Sequence, residues 1–152
     1  MGMLATTGAI SSVDQGPEGI TCQVIGNVPA RGICGSGLID LTAELLRYGL
    51  VTPEGRMSAP HELPPSVPDS IRRRVVVGEG DCVEFQFHQA DENSEPKSLS
   101  LTQRDIRQLQ LASGAIRAGI AILLRRAGLQ VGDLAAILLA GGFGSFLRRS
   151  SA

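Results

Sequence analysis

The chain has 152 residues, a formal net charge of −1 and 43% hydrophobic residues, which together predict one globular domain with a modest core. The small charge argues against a dedicated nucleic-acid binder, and the 3% aromatic content argues against stacking platforms for single strands. Three widely spaced cysteines do not suggest a disulfide framework, and no apolar run approaches the ~20 residues that span a bilayer. We therefore expect a cytoplasmic protein without nucleic-acid or membrane partners.

The first third of the chain predicts a pair of strands followed by a helix. Residues 5–13 and 19–26 flank a Pro/Gly cluster and are typical of an antiparallel pair. In 31–50 a glycine-rich loop precedes leucines at helical spacing, with Ser36 as the candidate N-cap. Gly49 is the expected C′ residue, with Leu50 behind it as the apolar partner of a Schellman stop.

The middle of the chain predicts an irregular segment and a small β-rich insertion. Residues 52–70 hold five of the eight prolines and are typical of a linker or irregular surface segment. The segments 72–78, 82–89 and 99–102 then read as three strands. Together they form the β insertion of 72–102.

The last third predicts the longest helix and a buried strand. Thr102 and Asp105 form a capping box, and apolar residues keep helical spacing from there to Gly128. Because two apolar stripes share this helix, we expect it to be buried on more than one side. The fully apolar run 135–140 predicts a strand that ends in glycines.

Two glycine sites are candidates for ligand contact. Gly141, Gly142 and Gly144 follow the apolar strand, where bare backbone lets a phosphate, ribose or base approach. The alternative is a tight strand-to-helix turn. Gly35-Ser36-Gly37 opens a helix, whose free amides favour anions, but close packing of the helix on a sheet explains it equally well. The P-loop pattern is absent, and neither a catalytic triad nor a metal-ligand pair stands out.

Four segments carry a family resemblance: 6–10 (TTGAI), 30–46, 101–120 and 138–147 (LLAGGFGSFL). In this order they resemble the C-terminal domain of the reductive activators of corrinoid-dependent enzymes. That domain is similar to acetate and sugar kinases, heat-shock chaperones and actin. The resemblance implies an α/β fold: a partial actin-like (ribonuclease-H-like) ATPase lobe with a small β-rich insertion. It covers nearly the whole chain as a single domain, in which 103–144 holds the long helix, the strand and the adenosine motif.

The resemblance also implies an activity and a site. Full-length members use ATP to drive an unfavourable electron transfer that rescues a corrinoid cofactor on a partner protein. By position, the glycine motif would lie against ribose and base, the 35–37 helix start would face the nucleotide, and the start of the long helix would face the cleft. The cofactor-binding residues implied in this way are Gly141, Gly142, Phe143, Gly144, Gly35, Ser36, Gly37, Gln103 and Arg104.

The departures from the family pattern predict a fragment. The two hairpins that hold phosphates and metal in this superfamily would lie before residue 1, and no clustered cysteines of an iron–sulfur domain are visible. We therefore expect ATP or ADP binding with Mg²⁺ only through other segments, no iron–sulfur cluster, no catalytic residue and no metal ligand here. Missing sheet strands should leave apolar surface open, which predicts a homo-oligomer. The alternatives are a non-catalytic dimerisation or corrinoid-protein interaction module, or a small-molecule-binding domain unrelated to ATP.

Overall fold

The computed structural model describes residues 2–16, 19–89, 98–139, 141, 146–148 and 150–151, and of residues 88 and 89 the backbone alone. Its architecture is mixed α/β, with two three-stranded sheets and one long helix. The elements in chain order are β1 (Ala9–Gly16), β2 (Gly19–Val24), β3 (Gly32–Ile33), α1 (Gly35–Arg47), α2 (Asp69–Arg72), β4 (Val75–Val77), β5 (Val83–Gln89), β6 (Ser98–Thr102) and α3 (Gln103–Ala127).

The first sheet has the strand order β2-β1-β3. As the sequence predicts, β1 and β2 are antiparallel, and a register shift between Ile10 and Ser12 bends β1. The short strand β3 pairs with β1 in parallel, which a hairpin pattern alone does not reveal. Because β3 pairs with Ala9 and Ile10 and leads directly into α1, this parallel step places the helix start beside the first half of β1.

Helix α1 packs on β1 through Leu41 and Leu45, which are fully buried. Its end is the predicted Schellman stop: the Leu50 amide donates to the Leu45 carbonyl at 2.8 Å, and Gly49 adopts a φ of +75°. The predicted cap at its start is wrong. Cys34 precedes the helix, and the Ser36 hydroxyl, one residue inside, donates to the carbonyl of Ser11 in β1 at 2.8 Å instead of capping an amide.

The second sheet has the order β4-β5-β6 with antiparallel neighbours. The sequence predicted a strand in each of these three segments, although Arg72 belongs to α2 and β4 begins only at Val75. Phe85 and Phe87 on β5 are buried, and the Arg74 guanidinium lies 5.8 Å from the centre of the Phe85 ring. The proline-rich segment 52–70 is largely irregular but is not a surface linker. It buries Met57, Leu63 and Val67 in the same core as both sheets.

Helix α3 begins and ends as predicted. The Asp105 amide donates to the Thr102 hydroxyl at 3.3 Å, the Thr102 amide donates to the Asp105 carboxylate at 2.9 Å, and Gly128 ends the helix with a φ of +67°. Its predicted burial on more than one side is wrong for the described chain. Only Ile106 is buried, because only the first turn of α3 reaches the core. None of the helices within the described ranges combines the length and apolar character that crossing a membrane requires.

The predicted strand 135–140 does not form over its described residues, 135–139. Ile137, Leu138 and Leu139 are 69%, 87% and 65% exposed. A strand requires a neighbour for its amides and carbonyls, and no strand of either described sheet pairs with this segment. The apolar run is therefore a strand sequence without a sheet edge beside it.

Candidate functional site

A cavity of about 420 Å³ lies at the start of α1. It joins two of the segments that carry the family resemblance: 30–46, through Gly35 and Ser36, and 138–147, through Phe146. The N-terminal strand region supplies the remaining walls. The lining residues are Met3, Leu4, Ala5, Ser11, Ile25, Cys34, Gly35, Ser36 and Phe146.

The cavity has apolar walls and a small polar floor. The floor is formed around Ser36, whose hydroxyl binds the Ser11 carbonyl and lies 3.3 Å from the Cys34 sulfur. The amides of the first turn of α1 add a partial positive charge at this end of the helix. None of the lining residues that the structure describes is charged. The cavity therefore suits an uncharged, flat group with a few polar atoms better than it suits a phosphate.

Gly37 does not line the cavity, and its role is packing. A Cβ at this position would overlap the carbonyl oxygen of Ile10 and lie 3.0 Å from Cγ1 of Ile33. The absence of a side chain lets α1 approach β1 and β3 closely. This approach holds Gly35 and Ser36 at the edge of the sheet, where they face the cavity.

The glycine motif is described only at its first residue. Gly141 has a φ of +99°, a conformation that favours glycine, and a Cβ there would meet no described atom within 4 Å. Gly142, Phe143 and Gly144 lie outside the described residues. Their contact with a ligand stays a prediction.

The structure does not bring Gln103 and Arg104 to the cavity. The Gln103 side chain accepts a hydrogen bond from the Met57 amide and donates one to the Gly55 carbonyl, both at 2.7 Å. It therefore fixes the 52–57 turn against the start of α3. Arg104 is exposed and makes no hydrogen bond or ion pair with another described residue.

An ion-pair network that holds the end of the chain was not predicted. Arg148 forms a two-pronged pair with Asp14 on β1, and its Nε lies 3.3 Å from the carboxylate of Asp40. Asp40 is only 1% exposed and also accepts a hydrogen bond from the Val13 amide at 3.3 Å. The hydrogen bond to Asp14 holds the pKa of Arg148 above its ordinary value.

A second buried carboxylate extends this network along α1. Glu44, one turn after Asp40, is 3% exposed, accepts a hydrogen bond from the Gln15 amide at 2.9 Å and pairs with Arg47. Arg47 in turn donates to the Ser150 carbonyl. These contacts hold Arg148 and Ser150 near α1, and Phe146, two residues before Arg148, lines the cavity. The available signal was two acids four residues apart on the buried, leucine-bearing face of the helix.

Metal coordination finds no support in this region. Within the described ranges, no three His, Cys, Asp or Glu side chains come together as a candidate metal site. The buried acids Asp40 and Glu44 are occupied by amides and arginines instead.

The chain matches, over residues 1–152, the family described as the C-terminal domain of RACo, the ASKHA domain. It is 37% identical over 147 residues to the corrinoid activation enzyme RamQ of Eubacterium limosum. This alignment covers 97% of this chain and 24% of RamQ. It is also similar to a solved structure titled reductive activator for corrinoid, iron-sulfur protein. That comparison gives a TM-score of 0.72 and 34% identity, and it covers 93% of this chain and 21% of the other. The chain thus spans about a quarter or less of the length of these relatives.

Proposed function

The chain belongs to the family of the C-terminal ASKHA domain of RACo, and from this premise we propose that it is the adenosine-binding part of an ATP-dependent reductive activator of corrinoid proteins. Its α/β fold is a partial actin-like lobe. One relative is named a corrinoid activation enzyme, and the similar solved structure is that of a reductive activator for a corrinoid, iron–sulfur protein. We take a corrinoid protein as the partner and ATP or ADP as the ligand.

The observation that carries the nucleotide proposal is the shared cavity. Gly35 and Ser36 are more than one hundred residues before Phe146 in the chain, yet they line one space of about 420 Å³. That volume lies within the ~300–1,000 Å³ range of small-molecule sites. The Phe146 ring, 67% exposed, is available to stack on a flat base.

The chemistry of the cavity fits the nucleoside and not the phosphates. None of its described lining residues is a lysine or an arginine, so these residues offer no charged partner for a triphosphate. Adenosine instead offers a flat ring for the apolar walls and hydroxyls for the polar floor. In this proposal the phosphates and Mg²⁺ are held by segments outside this chain.

The role of nucleotide in the activator is to shift a conformational equilibrium. A ligand shifts an equilibrium only through unequal affinity for its two states. The start of α1 and Phe146 both line the cavity, so a base bound there would link α1 to the part of the chain that Arg148 anchors. We place the activity in the cytoplasm, because Cys22, Cys34 and Cys82 are free thiols.

Calorimetric titration of the chain with adenosine, ADP and ATP, with and without Mg²⁺, tests this proposal. We expect affinity for all three that does not depend on Mg²⁺. Phe146→Ala should weaken binding about tenfold, because base–aromatic stacking contributes ~1–3 kcal/mol. Val131→Ala is the matched control, since Val131 is equally exposed (70%) but does not line the cavity.

The outcomes separate the alternatives. Silence toward all three ligands would favour an interaction module that lacks nucleotide binding. Binding of an unrelated small molecule in place of adenosine would favour a small-molecule-binding domain unrelated to ATP. If the motif at 141–144 also contacts the nucleoside, Gly142→Val should abolish binding, and unchanged affinity would remove that motif from the site.

We also propose that the isolated chain self-associates through the 135–139 segment. Its leucines and isoleucine are exposed, and an apolar strand without a neighbour pairs readily with another copy. Size-exclusion chromatography with light scattering should show oligomers that Leu138→Lys reduces, while Leu4→Lys, at a residue 82% exposed elsewhere, leaves them intact. A concentration-independent monomer would contradict this.

A further inference from the structure

A second groove, of about 560 Å³, runs between α1 and α3 and shares no lining residue with the cavity described above. Helix α1 supplies one wall and the middle of α3 the other. The lining residues are Ile39, Thr42, Ala43, Leu46, Leu109, Ser113, Ile116, Arg117, Ile120 and Ser151. The groove is apolar, and Arg117 is the one charged residue among the described residues that line it.

The groove continues along α3 toward the helix end. An adjoining depression of about 500 Å³ begins at Arg117 and Ile120 and extends past Arg125 to Leu129 and Val131. Its charged lining residues are the two arginines, Arg117 and Arg125. The two depressions therefore make one apolar path whose described lining carries positive charge at two points and no negative charge.

The charge of α3 is unusual for a chain of net charge −1. The helix contains five arginines and one aspartate. Arg104, Arg117, Arg125 and Arg126 form no ion pair in the described part of the chain, where the ion pairs involve other arginines. An occupant of the groove would therefore meet uncompensated positive charge.

The spacing of the groove residues on α3 suits a helix as occupant. The positions recur at alternating intervals of four and three residues, which forms a straight seam for a second helix. Within this seam Ile116 is 66% exposed, Ile120 43% and Leu123 67%. The seam positions that line the groove are Leu109, Ser113, Ile116 and Ile120. Leu123 and Ala127 continue the same spacing along α3 but are not among the described lining residues of either depression.

We propose that this groove, the α1–α3 groove, binds an amphipathic helix of a partner protein whose apolar face is flanked by acidic residues. Arg117 and Arg125 are eight residues apart, so they lie ~12 Å apart along the helix axis. The partner's carboxylates would be spaced by about two helical turns to match them. The inference does not depend on nucleotide binding at the other cavity.

A second copy of the chain fits the groove poorly. In an antiparallel pair of α3 helices, the arginine near the middle of each seam, Arg117, would face its own copy. The arginines at the helix ends would add further like charge, with only Asp105 to oppose it. Like charges facing across an interface oppose association, so the groove selects against this helix as its own partner.

Fluorescence anisotropy with two labelled peptides tests the proposal on the full chain. Both are helical peptides of about 18 residues with leucines along one face; one has glutamates two turns apart beside that face, and the other has lysines at the same places. The glutamate peptide should bind at least tenfold more tightly at low salt, and this advantage should shrink as salt rises. Arg117→Glu should reduce the affinity for the glutamate peptide about tenfold. Arg73→Glu controls for the change in net charge, because Arg73 is exposed and lines neither depression.

Several results would overturn the proposal. They are equal binding of the two peptides, no binding of either, equal losses in the Arg117 and Arg73 variants, or a dimer in light scattering that Ile116→Asp abolishes. Ile116→Asp should also remove peptide binding. Because Ile116 is mostly exposed, circular dichroism should show that this variant folds; if it does not, the Arg117→Glu and Arg73→Glu comparison decides the question.

Discussion

Gly37→Ala tests whether the start of α1 depends on close contact with the first sheet. The added methyl group would overlap the Ile10 carbonyl oxygen and lie 3.0 Å from Cγ1 of Ile33. The Ile10 carbonyl cannot retreat freely, because it accepts a hydrogen bond from the Cys34 amide at 3.0 Å. Backbone on both sides of the contact must therefore shift.

The expected loss follows from two opposing contributions. Overpacking of a tight contact destabilises a protein by ~1–3 kcal/mol. Replacing glycine by alanine in a helix stabilises it by ~0.5–1 kcal/mol, and less in the first turn. The overlap with backbone should prevail, so we expect the free energy of unfolding to fall by about 1–2 kcal/mol.

Gly114→Ala is the matched control, since it is the same substitution in a helix without a neighbour. A Cβ at Gly114 would meet no described atom within 4 Å, so only the helix propensity changes. Its free energy of unfolding should rise by ~0.5–1 kcal/mol. Urea denaturation followed by circular dichroism measures both variants. If Gly37→Ala is as stable as Gly114→Ala, the close-packing explanation of Gly37 is wrong.

Three further predictions follow from the core, a helix cap and a thiol. Phe85→Ala should lower the free energy of unfolding, measured by urea denaturation, by ~3–5 kcal/mol, because the ring is fully buried. Val77→Ala is the control: Val77 is a half-exposed residue of the same sheet, and its loss should change the free energy of unfolding by less than about 1 kcal/mol. Thr102→Ala should lower the free energy of unfolding by ~0.5–2 kcal/mol. The double variant with Asp105→Ala should lose less than the sum of the two single losses, because both residues form one capping box, and additive losses would contradict this. Burial raises the pKa of the Cys22 thiol, with Arg74 acting in the opposite direction, so iodoacetamide at pH 8 should alkylate Cys22 more slowly in the folded chain than in urea. The unfolded thiol ionises first, so this residue's contribution to stability should decline as pH rises through the ordinary thiol range.

Local signals in the sequence predicted where elements begin and end. The Thr102–Asp105 box and Gly128 bound α3, and Gly49 with Leu50 ends α1, because each is a contact between residues a few positions apart. The strands of the second sheet were predictable for a similar reason: alternation along β5 reports a surface with one buried side. These features depend little on what the rest of the chain does.

The candidate site was only partly predictable, because it depends on contacts between distant segments. The glycine pattern marked Gly35 and Ser36 as candidates for ligand contact, and the structure places both at the cavity. The same pattern gave no reason to separate Gly37 from them, since the difference lies in the carbonyl of Ile10 on another element. Gln103 likewise faces the 52–57 turn, a neighbour that no periodicity in α3 could indicate.

The two wrong predictions of burial, at α3 and at 135–139, have a common physical cause. Hydrophobic periodicity indicates that one face of an element is apolar, but it does not indicate whether other residues of this chain pack against that face. Both stretches carry large apolar side chains, and most of these stay exposed once the two sheets have packed around their shared core. The charges then distinguish the two surfaces. The 135–139 run carries no charge and suits a strand of any similar copy, whereas the seam of α3 carries arginines that disfavour its own copy and favour an acidic helix. The two exposed apolar surfaces therefore favour different partners, and the arginines of α3 are the residues that make the difference.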